Sequence, residues 1–193
     1  MNRTGGSIHN LISSKAIIAF LLLVLCSACV WNSATADVEQ TGTRIQLEQD
    51  ITALPAQALS LLDIELPACL QDATVFEIAY VTRVIDGDSI EVLLNGVQEQ
   101  VRYIGVNTPE YYSDERDAAV AATTLNRQLV EGRYVLLVRD VSDRDKFERL
   151  LRYVFTERDF VNYRLVQEGA AEARNYPPDT ICEKELNKII QYN

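Results

Sequence analysis

Histidine is almost absent from this 193-residue chain: the single one is His9. Imidazole acid–base chemistry is therefore excluded from everything beyond the extreme N-terminal region. Positive charge is also scarce. Lys and Arg number 18 against 28 Asp and Glu, for a net charge of −10. That excludes a broad basic surface for general polyanion binding, although a small basic pocket remains compatible with it. The acidic excess is uneven: Asp37 to Thr74 carries one Arg and seven acids, whereas Val75 to Tyr176 holds thirteen Lys and Arg among eighteen acids. No internal repeat or low-complexity tract occurs, which excludes solenoid and array architectures. Nor does any apolar run reach the eighteen or so residues of a membrane span.

The apolar run that does exist, AIIAFLLLVL at Ala16 to Leu25, stops at ten residues and follows Arg3 and Lys15. Its length and flanks predict a targeting segment over residues 1–36. Two processing sites compete. Ala34-Thr35-Ala36 fits the small-x-small pattern of a cleaved signal. Cys26-Ser27-Ala28-Cys29 directly follows the apolar run and resembles a bacterial lipoprotein signal, with Cys29 as the lipidated residue. Both predict an exported protein, either anchored to a membrane through Cys29 or released after Ala36. Of the four cysteines, only Cys69 and Cys182 then remain. An oxidising compartment makes a disulfide between them the expectation, with two buried free thiols as the alternative. Closing so long a loop would stabilise by roughly 4–5 kcal/mol in the chain-entropy picture.

Residues 37–74 begin polar and end in ALPAQALSLLDIEL, bracketed by Pro55 and Pro67. A tether followed by one short helix or irregular segment is predicted. From residue 75 to 193 the pattern is that of one folded domain. FEIAYVTRVI is a β-branched and aromatic run ended by Asp-Gly, and SIEVLL ends at Asn95-Gly96, the strongest short hairpin signal. VQEQVRYIGV returns as a third strand. SDERDAAVAATTLNRQLVEG reads as a helix, with Ser113 as its N-cap, acids in its first turn and Gly132 at its end. RYVLLVRDV and LLRYVFT are strands flanking the charged loop SDRDKFER. DFVNYRLVQEGAA is a second amphipathic helix ended by Gly169. The order βββαββα predicts an α+β fold, a small five-stranded Greek-key barrel carrying two to three helices; a monomer is the expectation for its assembly.

Several polar residues fall where these strands end. Asp88 follows a tight turn, and Asn107-Thr108 closes a strand. A carboxylate, an amide and a main-chain carbonyl are hard oxygen donors suited to Ca²⁺, provided water and substrate complete the shell. Glu110, just past Pro109, offers a carboxylate able to orient and deprotonate a water. Arg102 and Arg149 can each fork onto phosphate oxygens, and remain charged while doing so.

VIDGDSIEV, VRYIGVNTPE, SDRDKFERLLRYVF and FVNYRLVQEGAAEARNYPPD occur in that order between Val81 and Asp179. Together they resemble the thermonuclease, or staphylococcal-nuclease-like, family, which is built on an OB-fold barrel. The resemblance implies a calcium-dependent nuclease that hydrolyses DNA and RNA with low sequence specificity. It also implies Arg102, Glu110 and Arg149 as the catalytic trio. Asp88, Asn107 and Thr108 match the metal-binding positions, Thr108 through its main-chain carbonyl. Lys146 and Phe147 match positions beside the bound nucleotide, and Tyr176 matches an aromatic of the base-binding wall. Arg174 stands where a second tyrosine is expected. Two departures concern the site: Asn107 replaces a carboxylate, which lowers the expected metal affinity, and Glu148 replaces a glycine. A third is a shortened C-terminal helix, since the family's longer one would be cut at IIQYN.

The plainer readings are specific too. Asp86 and Asp88 could serve only as turn formers, and Arg102 could be a cross-strand partner of Glu91. Asp140, Asp143 and Asp145 read as solvated loop acids. Tyr111 and Tyr112 either flank the site or cover the helix start. The rival to an enzyme is a weakened or inactive OB-fold module that binds nucleic acid or protein.

Overall fold

The computed structural model describes residues 52, 54–112 and 114–188. The expected targeting segment, Cys29 and Ser113 lie outside the described residues.

Strand β1 (Phe76–Val84) pairs antiparallel with β2 (Ser89–Leu94), and β2 with β3 (Val97–Tyr103). The hairpin between β2 and β3 turns on Asn95 and Gly96 with φ of 51° and 81°, the left-handed pair that a two-residue hairpin requires. After the two-residue β4 (Val106–Asn107) comes helix α2 (Arg116–Val130), then β5 (Tyr134–Val138) and β6 (Leu150–Phe155). A four-residue helix α1 (Ala56–Leu59) precedes β1. Helix α3 (Val161–Gln167), the short strand β7 (Glu172–Ala173) and α4 (Glu183–Lys188) complete the order.

β6 joins β3 in parallel and β5 antiparallel, and β5 returns to β1, so the five main strands close in the order β1-β2-β3-β6-β5. The alternation of the strands puts Val81, Ile90, Val92, Val101, Leu137 and Val154 on one side of the sheet, where all are buried. The two-residue β4 and β7 pair separately. Four described α-helices occur rather than two to three, because short turns at Ala56–Leu59 and Glu183–Lys188 also close helical hydrogen bonds.

The third strand is shorter than VQEQVRYIGV predicts. β3 stops at Tyr103, and Gly105, at φ 75°, turns the chain away toward β4. A Cβ on Gly105 would meet Leu186 Cδ1 at 2.6 Å, so this turn also seats α4. Helix α2 begins at Arg116 rather than beside Ser113, which leaves Asp114 before the helix and Asp117 as the acid of its first turn.

The segment before β1 is more than a tether where it is described. Leu61 and Leu70 are fully buried in the core with Ala58. Each leucine contributes about 2 kcal/mol relative to exposure. Cys69, beside Leu70, is bonded to Cys182, 113 residues later, with Cα atoms 5.2 Å apart. The bridge closes the chain around the barrel, as expected for the last two cysteines.

Arg152 is 1% exposed and points inward from β6. Its Nε donates to Glu77 at 2.7 Å, its Nη2 to Asp143 at 2.7 Å, and its Nη1 to the Asp143 and Leu151 carbonyls. A buried guanidinium is tolerable because its donors are met in this way. Asp143 is therefore a structural partner of Arg152 and not merely a solvated loop acid.

Candidate active site

The Asp86-Gly87-Asp88 turn lies between β1 and β2 and is packed from behind. A Cβ on Gly87 would fall 2.6 Å from Thr108 Cγ2 and 2.8 Å from Ala122 Cβ. Glycine is required here for space, since it lets α2 and the strand end carrying Thr108 close on the turn. Asn126 of α2, fully buried, donates to the Asp86 carbonyl at 2.9 Å and accepts from Tyr103 Oη at 2.9 Å. Burial holds the Tyr103 phenol well above its ordinary pKa, so it stays a neutral donor. Burial and the neighbouring Asp88 charge likewise raise Asp86 above the usual carboxylate range.

Asp88, 5% exposed, is the hub of the site. Its Oδ2 accepts the Thr108 backbone N–H at 2.8 Å and the Thr108 hydroxyl at 3.0 Å, and its Oδ1 accepts from Ser89 at 3.3 Å. The Arg102 guanidinium forms an ion pair with the same carboxylate. Arg102 faces Ser89 across the β2–β3 pair, and Glu91 pairs instead with Arg83 at 2.8 Å. Arg102 Nη2 reaches over the Gly105 turn to the Val106 carbonyl and to Asn107 Oδ1, both at 3.3 Å. Asn107 Oδ1 also accepts from Tyr176 Oη at 3.4 Å, while Asn107 Nδ2 donates to the Thr108 carbonyl at 3.4 Å. Asp88, Arg102, Asn107, Thr108 and Tyr176 thus form one connected polar network.

The second cluster sits on the loop before β6. Arg144 forks onto Glu99 of β3, with both contacts at 2.9 Å, and donates to the Glu148 carbonyl at 2.7 Å. This ties the loop to the strand that carries Arg102. Asp145 Oδ1 caps the backbone N–H groups of Phe147 and Arg149 at 2.9 and 3.0 Å. Burial alone would raise the Asp145 pKa; these donors and the Arg149 side chain outweigh it and hold the group below the usual carboxylate range. Phe147 is 66% exposed, with Lys146 Nζ 4.9 Å and Arg149 Cζ 5.5 Å from its ring centre. Glu148, where the family resemblance implies glycine, sits at φ 66°. Leu151 faces Arg102 across the β3–β6 pair. Arg149 directly precedes β6.

Two more predicted residues, Glu110 and Arg174, follow the paired strands β4 and β7. Glu110 is exposed on the segment between β4 and α2. Arg174 donates its backbone N–H to the Gly105 carbonyl at 2.9 Å, and its guanidinium meets Glu172 at 3.2 Å. Asp145, Glu99, Arg144 and Asn126 support the site and were not singled out from sequence as its parts. The four-residue spacing of Asp145 and Arg149 was the signal available for the first. Asp140 accepts from Tyr153 Oη at 3.1 Å and from the Ile181 N–H at 3.0 Å, so it is structural rather than solvated.

The hub fits a hard cation by its chemistry. Asp88, Asn107 and the Thr108 carbonyl supply oxygen donors within one hydrogen-bonded patch. Among the described residues no group of three His, Cys, Asp or Glu side chains could hold a metal. The site therefore offers one carboxylate and two neutral oxygens, so other ligands would have to complete any shell.

A family model described as staphylococcal nuclease homologue matches residues 100–192. A thermonuclease of Staphylococcus intermedius is 37% identical over 102 residues, covering 51% of this chain and 61% of that protein. A thermonuclease of Staphylococcus hyicus is 34% identical over 111 residues, covering 56% and 66%. The match thus spans less than two thirds of either staphylococcal protein. Endonuclease YncB of Bacillus subtilis is similar over a longer stretch, 31% identical across 172 residues, 86% of this chain and 80% of that protein.

Proposed function

Because the chain belongs to the thermonuclease-like family of staphylococcal nuclease homologues, we propose that it is an exported, calcium-dependent nuclease on an OB-type barrel. It hydrolyses phosphodiester bonds of DNA and RNA with little sequence preference, because a pocket of this kind reads a phosphate and a stacked base rather than groove edges. The observation that carries this reading is the single network joining Arg102, Asp88, Asn107 and Thr108.

Arg102 and Arg149 bind the scissile phosphate. Charge grows on the equatorial oxygens as phosphorus becomes five-coordinate, so fixed guanidinium donors stabilise the transition state more than the ground state. Glu110 takes the proton of the attacking water. Lys146, Phe147, Tyr176 and Arg174 hold the adjoining nucleotide by charge and stacking. Asp88, Asn107 and the Thr108 carbonyl hold Ca²⁺, which when bound supplies further charge stabilisation at the phosphate. Export follows the N-terminal segment, with Cys29 as the lipid anchor of a monomer.

The test is incubation of the exported chain with single-stranded DNA, in calcium or in chelator, beside Glu110→Gln. Calcium-dependent cleavage lost in the variant is expected. Binding without turnover at any calcium concentration would favour the inactive OB-fold module.

A further inference from the structure

Among the described residues, all arginines but three are in ion pairs with carboxylates. Arg116 lies over the Tyr111 ring. The other two, Arg133 and Arg158, line the same cavity of about 380 Å³, together with Tyr80 and Tyr134. In a chain of net charge −10, two arginines without acidic partners that converge on one concavity are unlike the rest of the surface. Tyr80 and Tyr134 are cross-strand neighbours on β1 and β5, with ring centres 5.2 Å apart and planes at 59°. Glu157, the one carboxylate lining the cavity, accepts from Ser60 Oγ, which turns it toward the segment before β1.

We infer that this cavity is a second binding site for a single-stranded nucleic acid: Arg133 and Arg158 hold backbone phosphates, and a base lies against the Tyr80–Tyr134 pair. The pairing of guanidinium donors with a half-buried aromatic pair matches a polymer that alternates phosphates with flat bases. The site is concave and small, so it admits a nucleotide but not the flat face of a bilayer. It lies at the far end of β6 from Arg149: Arg149 precedes Leu150, and the cavity-lining Thr156 follows Phe155. Seven strand steps span roughly 20 Å. A strand stacked at about 3.4 Å per nucleotide covers that distance in about six nucleotides. The cavity would thus grip substrate beyond the scissile bond and favour long strands over short ones.

This inference rests on the nuclease reading for its substrate, and the experiment separates the two. The full chain carrying Glu110→Gln is titrated in chelator with fluorescein-labelled (dT)20, with and without Arg133→Gln/Arg158→Gln. The double variant should weaken binding about tenfold. The slope of log affinity against log salt should become shallower by about 1.4, for two lost phosphate contacts on a single strand. In the otherwise unaltered chain, KM for (dT)20 should rise with kcat unchanged, while KM for (dT)4 should not move. Matched melting temperatures establish that the variant folds. Unchanged (dT)20 affinity would overturn the inference and leave the nuclease reading intact. Arginine-dependent binding with no cleavage would uphold the inference and sink the nuclease reading. Loss of binding to phosphatidylglycerol vesicles, with (dT)20 binding unaltered, would reassign the cavity to a membrane and overturn it.

Discussion

Asp145 grips Arg149 by side chain and backbone together: Oδ2 accepts Nε at 2.8 Å and Nη2 at 2.7 Å, while Oδ1 accepts the Arg149 backbone N–H at 3.0 Å. The acid orients the arginine by taking two guanidinium contacts on one oxygen while the other oxygen holds the arginine's own backbone. Asp145→Asn keeps the size but gives up the charge and one acceptor. kcat/KM on single-stranded DNA should fall about tenfold, which corresponds to about 1.4 kcal/mol of transition-state stabilisation. A far-UV spectrum and melting temperature near the parent would assign the loss to positioning. Unchanged kcat/KM would refute the role.

Asn107 is the neutral member of the proposed oxygen set. Asn107→Asp restores a carboxylate there, although the hydrogen bond from Nδ2 to the Thr108 carbonyl is lost. The calcium concentration giving half-maximal cleavage should drop severalfold. Calcium titration of activity checks this, and a rise in that concentration would count against Asn107 as a ligand.

Glu148 occupies a left-handed conformation that costs a non-glycine residue about 1 kcal/mol. Glu148→Gly relieves that strain but gains backbone entropy when unfolded. The balance should be a small rise in stability, at most about 1 kcal/mol, or about 2–4 °C in Tm. A fall in Tm would mean that the Glu148 side chain contributes contacts worth more than the strain.

Acid should destabilise the fold through a few paired carboxylates. Glu99 is held below the usual range mainly by Arg144. For Asp143 and Asp145, burial pushes upward but their arginine partners prevail. Folded values below unfolded ones mean that this stability is complete above about pH 5 and is lost as pH falls through the lowered values. Asp140 works in the opposite sense, because burial raises it, so its ionisation costs stability as pH rises. Melting temperatures between pH 7 and pH 2 should fall most steeply below pH 4, and less steeply in Asp145→Asn. Identical slopes in parent and variant would remove Asp145 from the account.

Removing the Cys69–Cys182 bridge should cost roughly 4–5 kcal/mol, since it closes a span of 113 residues. Urea unfolding of the parent and of Cys69→Ser/Cys182→Ser measures the difference. A loss under 1 kcal/mol would show that the unfolded chain is already compact without the bridge.

Periodicity and turn chemistry were enough to reveal the β-hairpins, both main helices and the order of the motifs. These features are local: Asn95-Gly96 makes its turn whatever surrounds it, and alternation along β2 needs only one buried face. The motifs around Asp88, Arg102, Asn107 and Thr108 could be read because each keeps its charged residue at a strand end. Hidden from the sequence were the partners. Asp145 resembled any loop acid, and Asn126 any helix-surface amide, until the loop and helix were seen against the barrel.

By itself the sequence determined which chemistry was available, namely carboxylates, arginines and amide oxygens without imidazole, and which strands would carry it. Residue types and short-range periodicity need no knowledge of distant segments. Only the tertiary structure decided that Asp88 and Arg102 share one ion pair, that Gly105 turns the chain so Asn107 returns to Arg102, and that Arg133 and Arg158 meet in one cavity. Closing the barrel brings strand ends together across long stretches of chain, and no local pattern encodes which side chains then face one another.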